Sequence, residues 1–142
     1  MPEQPAAADL VERVRRTFDA FSDGDLDAVT AAFTPDAEWQ SMGLGTTFRG
    51  IPAIRSFLAD WRGRYEDYEI ELTESQDLGN GVVLVKSSQS GNLLGSPASA
   101  RLPPEIMLHV FVWQQGAATR IVSSGDTPEA RADAERLAEQ RA

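Results

Sequence analysis

Apolar residues recur along this chain with two different periods, and the change from one to the other divides it into a helical first half and a stranded second half. Leu10, Val14, Phe18 and Phe21 are spaced by four, four and three residues, which puts them on one face of a helix. Gly24 supplies a stop, and Asp25 can cap a second helix with Leu26, Val29 and Phe33 on one side and Pro35 at its end. Ala37 to Ser41 reads as a short strand, with Ala37, Trp39 and Ser41 on one face. A glycine-marked loop from Met42 to Gly50 leads to a third helix, with Pro52 in its first turn. Along that helix Ile54, Phe57, Leu58, Trp61 and Tyr65 keep helical spacing.

After Asp67 the period becomes two. Tyr68, Ile70 and Leu72 alternate with Glu69, Glu71 and Thr73, the pattern of a half-exposed strand. Asn80-Gly81 then predicts a tight hairpin into Val82-Val83-Leu84-Val85, a strand that turns polar from Lys86 to Ser90. A loose Gly/Ser/Pro stretch spans Gly91 to Pro104. Another strand runs from about Glu105 to Gln114, turns at Gln115-Gly116 and returns from about Thr119 to Ser124. Beyond Pro128 the tail is helical by propensity, but its apolar positions are mostly Ala, with Leu137, so it is expected to bury little. Arg131 and Glu135 there form an i,i+4 pair. The whole is an α+β arrangement in which helices pack on one face of a curved sheet.

Composition narrows the chemistry. The 142 residues suit a single domain with a core over about 8–126 and flanking tails at 1–7 and 128–142. The absence of cysteine excludes disulfides and thiolate metal sites, and one histidine, His109, argues against an imidazole-based metal site. No metal and no organic cofactor is expected. A net charge of −9 opposes nonspecific binding to nucleic acid or an anionic membrane. The amino terminus has neither the charge nor the apolar core of a signal peptide, and no run reaches the roughly 18 apolar residues of a membrane span. A cytoplasmic protein is expected.

Several segments resemble the SnoaL-like branch of the nuclear transport factor 2 superfamily. Ala20 to Val29, with an aromatic followed by Gly-Asp-Leu-Asp-Ala, is similar to the family's opening motif. Phe33-Thr34-Pro35-Asp36-Ala37-Glu38-Trp39, Phe48-Arg49-Gly50 and His109 to Gly116 follow as they do in the family, so that the match spans roughly Leu10 to Asp126. The resemblance implies a cone-shaped, curved antiparallel sheet wrapped by three helices around a central pocket. It does not imply one activity, because the fold hosts isomerases, dehydratases, cyclases, epoxide hydrolases and noncatalytic domains.

Within that frame His109 carries the most information. On its strand it shares a face with Glu105, Met107, Phe111 and Trp113, while Leu108, Val110 and Val112 face the other way. Large aromatics around one titratable group are what a ligand pocket needs, and the alternative is a core histidine bonded to a backbone carbonyl. The resemblance to ketosteroid isomerases puts Ser41 at the carboxylate base, Thr17 at the first-helix tyrosine, His109 at the protonated acid and Leu58 at a further tyrosine. A serine without a base beside it does not abstract a carbon-bound proton at useful rates, which argues against steroid isomerisation. A Ser41–His109 hydrolytic dyad lacks a third, orienting carboxylate, since Glu105 sits about 13 Å along the strand from His109.

The expected pocket is bounded by Thr17, Phe18, Trp39, Ser41, Phe57, Trp61, Phe111 and Trp113, with His109 on its floor and a volume on the order of 300 Å³ or more. Gln89 and Ser87 share one face of their strand and are either pocket hydrogen-bonders or exposed strand-end residues. The expected function is binding and acid–base transformation of a small, largely apolar, carbonyl- or hydroxyl-bearing metabolite, polyketide-cyclase-like chemistry being the nearest named kind. His109 would be the acid or hydrogen-bond donor, and Ser41 and Thr17 the orienting hydroxyls. The alternatives are a noncatalytic ligand-binding or partner-binding domain and, third, a purely structural dimerisation domain. A homodimer is expected through the outer face of the sheet, where Leu108, Val110 and Val112 would otherwise form an exposed apolar strip.

Overall fold

The computed structural model describes residues 7–95 and 104–141. Its elements run α1 (Ala7–Asp23), α2 (Leu26–Thr30), β1 (Phe33–Ser41), β2 (Thr46–Arg49), α3 (Ile51–Gly63), β3 (Tyr65–Gly79), β4 (Val82–Leu93), β5 (Glu105–Gln114), β6 (Ala117–Ser124) and α4 (Pro128–Gln140). The strands form one six-stranded sheet in the order β2-β1-β6-β5-β4-β3. The meander β3 to β6 is antiparallel, as its alternation predicts, but β1 joins it through a parallel pairing with β6. Both hairpin turns need left-handed backbone. Asn80-Gly81 has φ of 58° and 82°, and Gln115-Gly116 has 53° and 84°.

Register shifts interrupt the β3–β4 ladder at three places, and such bulges bend a sheet into a concave surface. The concave side is filled by α1, α2 and α3. Leu10, Val14, Phe18 and Phe21 of α1, Val29 of α2, and Ile54 and Leu58 of α3 are all buried there against Trp39, Val83, Val85, Phe111 and Ile121. Asp25 caps α2 as expected, its side chain accepting the backbone N–H of Ala28 at 3.1 Å.

Some boundaries differ from the sequence expectation. Phe33 opens β1 instead of extending α2, because the chain leaves helical geometry after Thr30 and Phe33 packs into the same core from the strand. Pro35 lies inside β1, at the irregular stretch of the β1–β6 pairing between Phe33 and Glu38, where its missing N–H costs no ladder bond. Tyr65 begins β3 and does not end α3. The glycine-marked loop contains the short strand β2, and Gly91 to Leu93 still belong to β4. Most of the loose stretch that follows lies outside the described residues.

The largest correction concerns α4. The tail does bury surface: Ala134 and Ala138 pack with Leu137 over Val82, Leu84, Leu108 and Val110 on the convex face of the sheet. Small alanines let the helix approach closely, so few large residues are needed. Arg131 turns away from Glu135 toward the sheet, reaching Asp126 at 2.8 and 3.1 Å and Glu74 at 2.8 and 3.4 Å. The Arg131 guanidinium holds both carboxyls below their usual range. Leu108 and Val110 are therefore buried within the chain, Val112 is buried as well, and the exposed strip on which the dimer expectation rested is absent from the described face.

Candidate functional site

Three elements direct aromatic side chains toward His109, but they pack instead of leaving a cavity around it. Phe18 lies 5.0 Å from the imidazole between ring centroids, Trp61 6.4 Å and Trp39 6.5 Å. Thr17, Phe18, Trp39, Leu58, Trp61 and Phe111 surround a gap of only about 10 Å³, too small for a ligand. The Thr17 hydroxyl is spent on the carbonyl of Arg13 at 2.9 Å. Trp113 is buried farther along β5, beside an open depression of about 330 Å³ lined by Arg13, Arg16 and Gly116.

His109 itself has no exposed surface, and both of its ring nitrogens are engaged. Ser87 Oγ stands 3.0 Å from Nε2, and Ser123 Oγ 2.7 Å from Nδ1. These are side-chain partners on the two flanking strands, not a backbone carbonyl. Register explains them: Ser123 is paired directly opposite His109 in the β5–β6 ladder, and Ser87 lies on the neighbouring β4. Burial holds the His109 pKa down at about 3, so the imidazole is neutral near pH 7. Ser123 Oγ also accepts the indole N–H of Trp39 at 2.9 Å.

Open space lies farther out, at the mouth of the cone. A cleft of about 200 Å³ is lined by Ser41, Gly43, Leu44, Phe57, Trp61, Arg64, Tyr65, Gln89, Glu105, Met107 and Ser123. Of the residues expected to line the pocket, the mouth gathers Ser41, Phe57, Trp61 and Gln89. Thr17, Phe18, Trp39 and Phe111 lie in the packed layer beneath, Trp113 lies elsewhere, and His109 meets residues of the mouth through its hydrogen bond with Ser123 and its ring contact with Trp61.

One polar network stiffens the wall. Gln89 Oε1 accepts the Tyr68 hydroxyl at 2.7 Å and the Trp61 indole N–H at 3.0 Å, and Gln89 Nε2 donates to Glu105 Oε2 at 3.2 Å. Burial raises the Tyr68 pKa, which keeps that hydroxyl protonated as the donor. Gln89 is thus a buried hydrogen-bonder, which decides the alternative left open by its strand position. Across the mouth Ser41 and Ser123 are register partners on β1 and β6.

Ser123, Tyr65, Tyr68, Arg64 and Glu105 are among the contributors not singled out for the site from the sequence. Ser123 was findable, since it follows Ile121 by two residues on the inward face of β6. Glu105 is the one carboxylate among the residues lining the mouth. Among the described residues no cluster of three or more His, Cys, Asp or Glu is placed to hold a metal ion, and no helix is long and apolar enough to cross a membrane.

A second cleft, about 540 Å³, lies on the opposite face between α4 and the sheet, over Val110 and Val122 with Arg120 and Arg136 at its rim. It shares no lining residue with the mouth.

Comparison with known proteins places this architecture. A candidate polyketide cyclase from Sinorhizobium meliloti is 28% identical, with a TM-score of 0.67 over 84% of this chain and 100% of that one. A candidate SnoaL-like polyketide cyclase from Jannaschia sp. CCS1 is 19% identical, with a TM-score of 0.73 over 95% and 97% of the two chains. A hypothetical protein of ketosteroid isomerase-like fold from Catenulispora acidiphila, solved with trimethylamine, is 17% identical, with a TM-score of 0.71 over 80% and 84%. No curated protein matches the sequence. The SnoaL-like domain model matches residues 14–128, and the chain belongs to that family.

Proposed function

We propose that the chain binds a small, flat, largely apolar molecule carrying a carbonyl or hydroxyl group, in the mouth between α3 and the sheet. The observation that carries this reading is the makeup of the cleft. Phe57, Trp61 and Tyr65 supply apolar faces, while Ser41, Ser123, Gln89 and Glu105 supply fixed polar groups. Few polar groups among aromatics is the usual composition of a small-molecule site, and a volume of about 200 Å³, smaller than the roughly 300 Å³ or more expected from the sequence, confines the ligand to about one ring. Acetophenone serves as a probe. Ligand-observed NMR is expected to register saturable binding that Ser41→Phe, which fills the mouth, abolishes. Val122→Trp, which fills the cleft under α4, is expected to leave it intact. Binding that survives Ser41→Phe contradicts the reading.

Acid–base transformation of the ligand is the second reading, and Glu105 favours it. Its carboxylate is steadied by Gln89 Nε2 at 3.2 Å and lies in the wall of the mouth. Glu105 would take a proton from the carbon beside a carbonyl and return it, the enolate oxygen being held by a serine hydroxyl. His109 would act by holding Ser123, not by touching the ligand. Deuterium incorporation into the methyl group of acetophenone in D2O, lost in Glu105→Gln, would support catalysis. Exchange no faster than in buffer would leave binding alone.

A further inference from the structure

Ser87, His109, Ser123 and Trp39 form a chain of hydrogen bonds whose donors and acceptors can be counted. The Trp39 indole N–H only donates, so Ser123 Oγ accepts it at 2.9 Å. A neutral imidazole carries one N–H. If that hydrogen sat on Nε2, it would donate to Ser87 Oγ, and the Ser87 hydroxyl would then have no acceptor among the described residues, in a residue with no exposed surface. A buried donor without a partner is costly. If the hydrogen sits on Nδ1, the Ser87 hydroxyl donates to Nε2 at 3.0 Å, and Nδ1–H donates to Ser123 Oγ at 2.7 Å. Ser123 Oγ then accepts two hydrogen bonds, from Trp39 and from His109. Both its lone pairs are spent, and its own hydrogen, on a residue only 2% exposed and with no acceptor among the described residues, can be satisfied only from the mouth that Ser123 lines.

We infer that Ser123 is an obligate hydrogen-bond donor to the ligand, fixed in that role by Ser87 through His109, and that the site therefore selects molecules presenting an acceptor such as a carbonyl oxygen. Ser41 reinforces the selection from the neighbouring strand. Its Oγ accepts the backbone N–H of Leu44 at 3.3 Å, which leaves its hydrogen free as well. The acceptor of the wall, Glu105, stands apart from this pair, bonded to Gln89. The mouth is therefore polarised, with hydroxyl donors contributed by β1 and β6 and a carboxylate contributed by β5. His109 is a positioning residue here. It sets the direction of a hydrogen bond that another side chain makes.

The inference rests on the mouth being the binding site, and the two can fail separately. Long-range proton–nitrogen NMR of the free protein reads the tautomer directly. A protonated Nδ1 and an unprotonated Nε2 are expected, and a protonated Nε2 overturns the inference whatever binds. Acetophenone and ethylbenzene, which match in shape but differ in the acceptor, are the probes for the ligand side. Acetophenone is expected to bind about tenfold more tightly, the ratio for one hydrogen bond of ordinary strength. Ser123→Ala is expected to remove that ratio and Ser123→Thr, which keeps the hydroxyl, to restore it. Equal binding of the two probes by the unmodified protein would leave the site standing and overturn the selection. Binding of neither would overturn the site and the ligand class together.

Discussion

Ser123 Oγ stands 2.7 Å from Nδ1 of His109, and of the two residues it is Ser123 that lines the mouth of the cone. The pairing changes what the histidine is for. A fully buried imidazole whose pKa is held near 3 is a poor proton carrier at neutral pH, but it is a rigid two-ended connector between a buried serine and one at the mouth of the cone.

Removing the connector's outer end should therefore destabilise the fold. Ser123→Ala leaves the Trp39 indole N–H and His109 Nδ1 without partners in a buried layer, at an expected cost of about 2–4 kcal/mol. Ser123→Thr is expected to retain most of the stability. Urea denaturation compares them, and an alanine variant as stable as the parent would show that the network contributes nothing.

The same burial has a pH signature. The unfolded histidine has a pKa near 6.5 and the folded one near 3, so between these values the unfolded state binds the extra proton. The contribution is fully present above about pH 6.5, falls as pH drops, and levels off below about pH 3. The unfolding equilibrium constant should rise by up to tenfold per pH unit in that window from this group alone. The difference between the parent and His109→Gln isolates it, and an NMR titration should find no His109 transition above pH 5. A transition near pH 7 would mean that the ring is hydrated or faces an acid.

Gly81 tests the hairpin turn. Its φ is 82°, and a Cβ there would collide with the carbonyl oxygen of Trp113. Gly79 has a φ of 90° but nothing near its Cβ position. Gly81→Ala is expected to cost about 3 kcal/mol, from strain plus steric overlap, against about 1 kcal/mol for Gly79→Ala from strain alone. Equal effects on the thermal midpoint would contradict the close approach.

Deleting residues 128–142 should expose the convex face. Val82, Leu84, Leu108 and Val110 would lose the cover of Ala134, Leu137 and Ala138. The truncated chain is expected to bind a hydrophobic dye and to self-associate in sedimentation, the usual response of a contiguous exposed apolar strip. Arg131→Ala should produce a weaker form of the same behaviour, since its links to Asp126 and Glu74 help to seat α4. A truncated chain with unchanged association and dye response would show that α4 is not the cover.

How far the sequence carries is clear from particular residues. The periods of Leu10 to Phe21 and of Tyr68 to Leu72 were enough to find α1 and β3, and Asn80-Gly81 located a turn to the residue. These signals are local, and local spacing determines them. What was not legible depended on distance in the sequence. Whether Phe18, Trp39, Trp61 and Phe111 enclose a cavity or interlock is decided by ring orientations set by four separate elements, and periodicity gives only the face. Phe33 was misplaced because it satisfies helical spacing after Val29 just as it satisfies strand alternation before Ala37. The seating of α4 was missed because alanine packing is weak in propensity arguments and effective against a flat sheet.

The most direct test of the central claim, that the mouth is the ligand site, is an NMR titration of the protein with acetophenone that follows its three indole N–H signals. The Trp61 indole lines the mouth, that of Trp39 is tied to Ser123 beneath it, and that of Trp113 lies away from both. Saturable shifts are expected at Trp61 and smaller ones at Trp39, with backbone shifts at Ser41, Gln89 and Ser123 and none at Trp113. Shifts confined to Val110, Val122 and Arg136, in the cleft under α4, or no saturable shift at all, would contradict it.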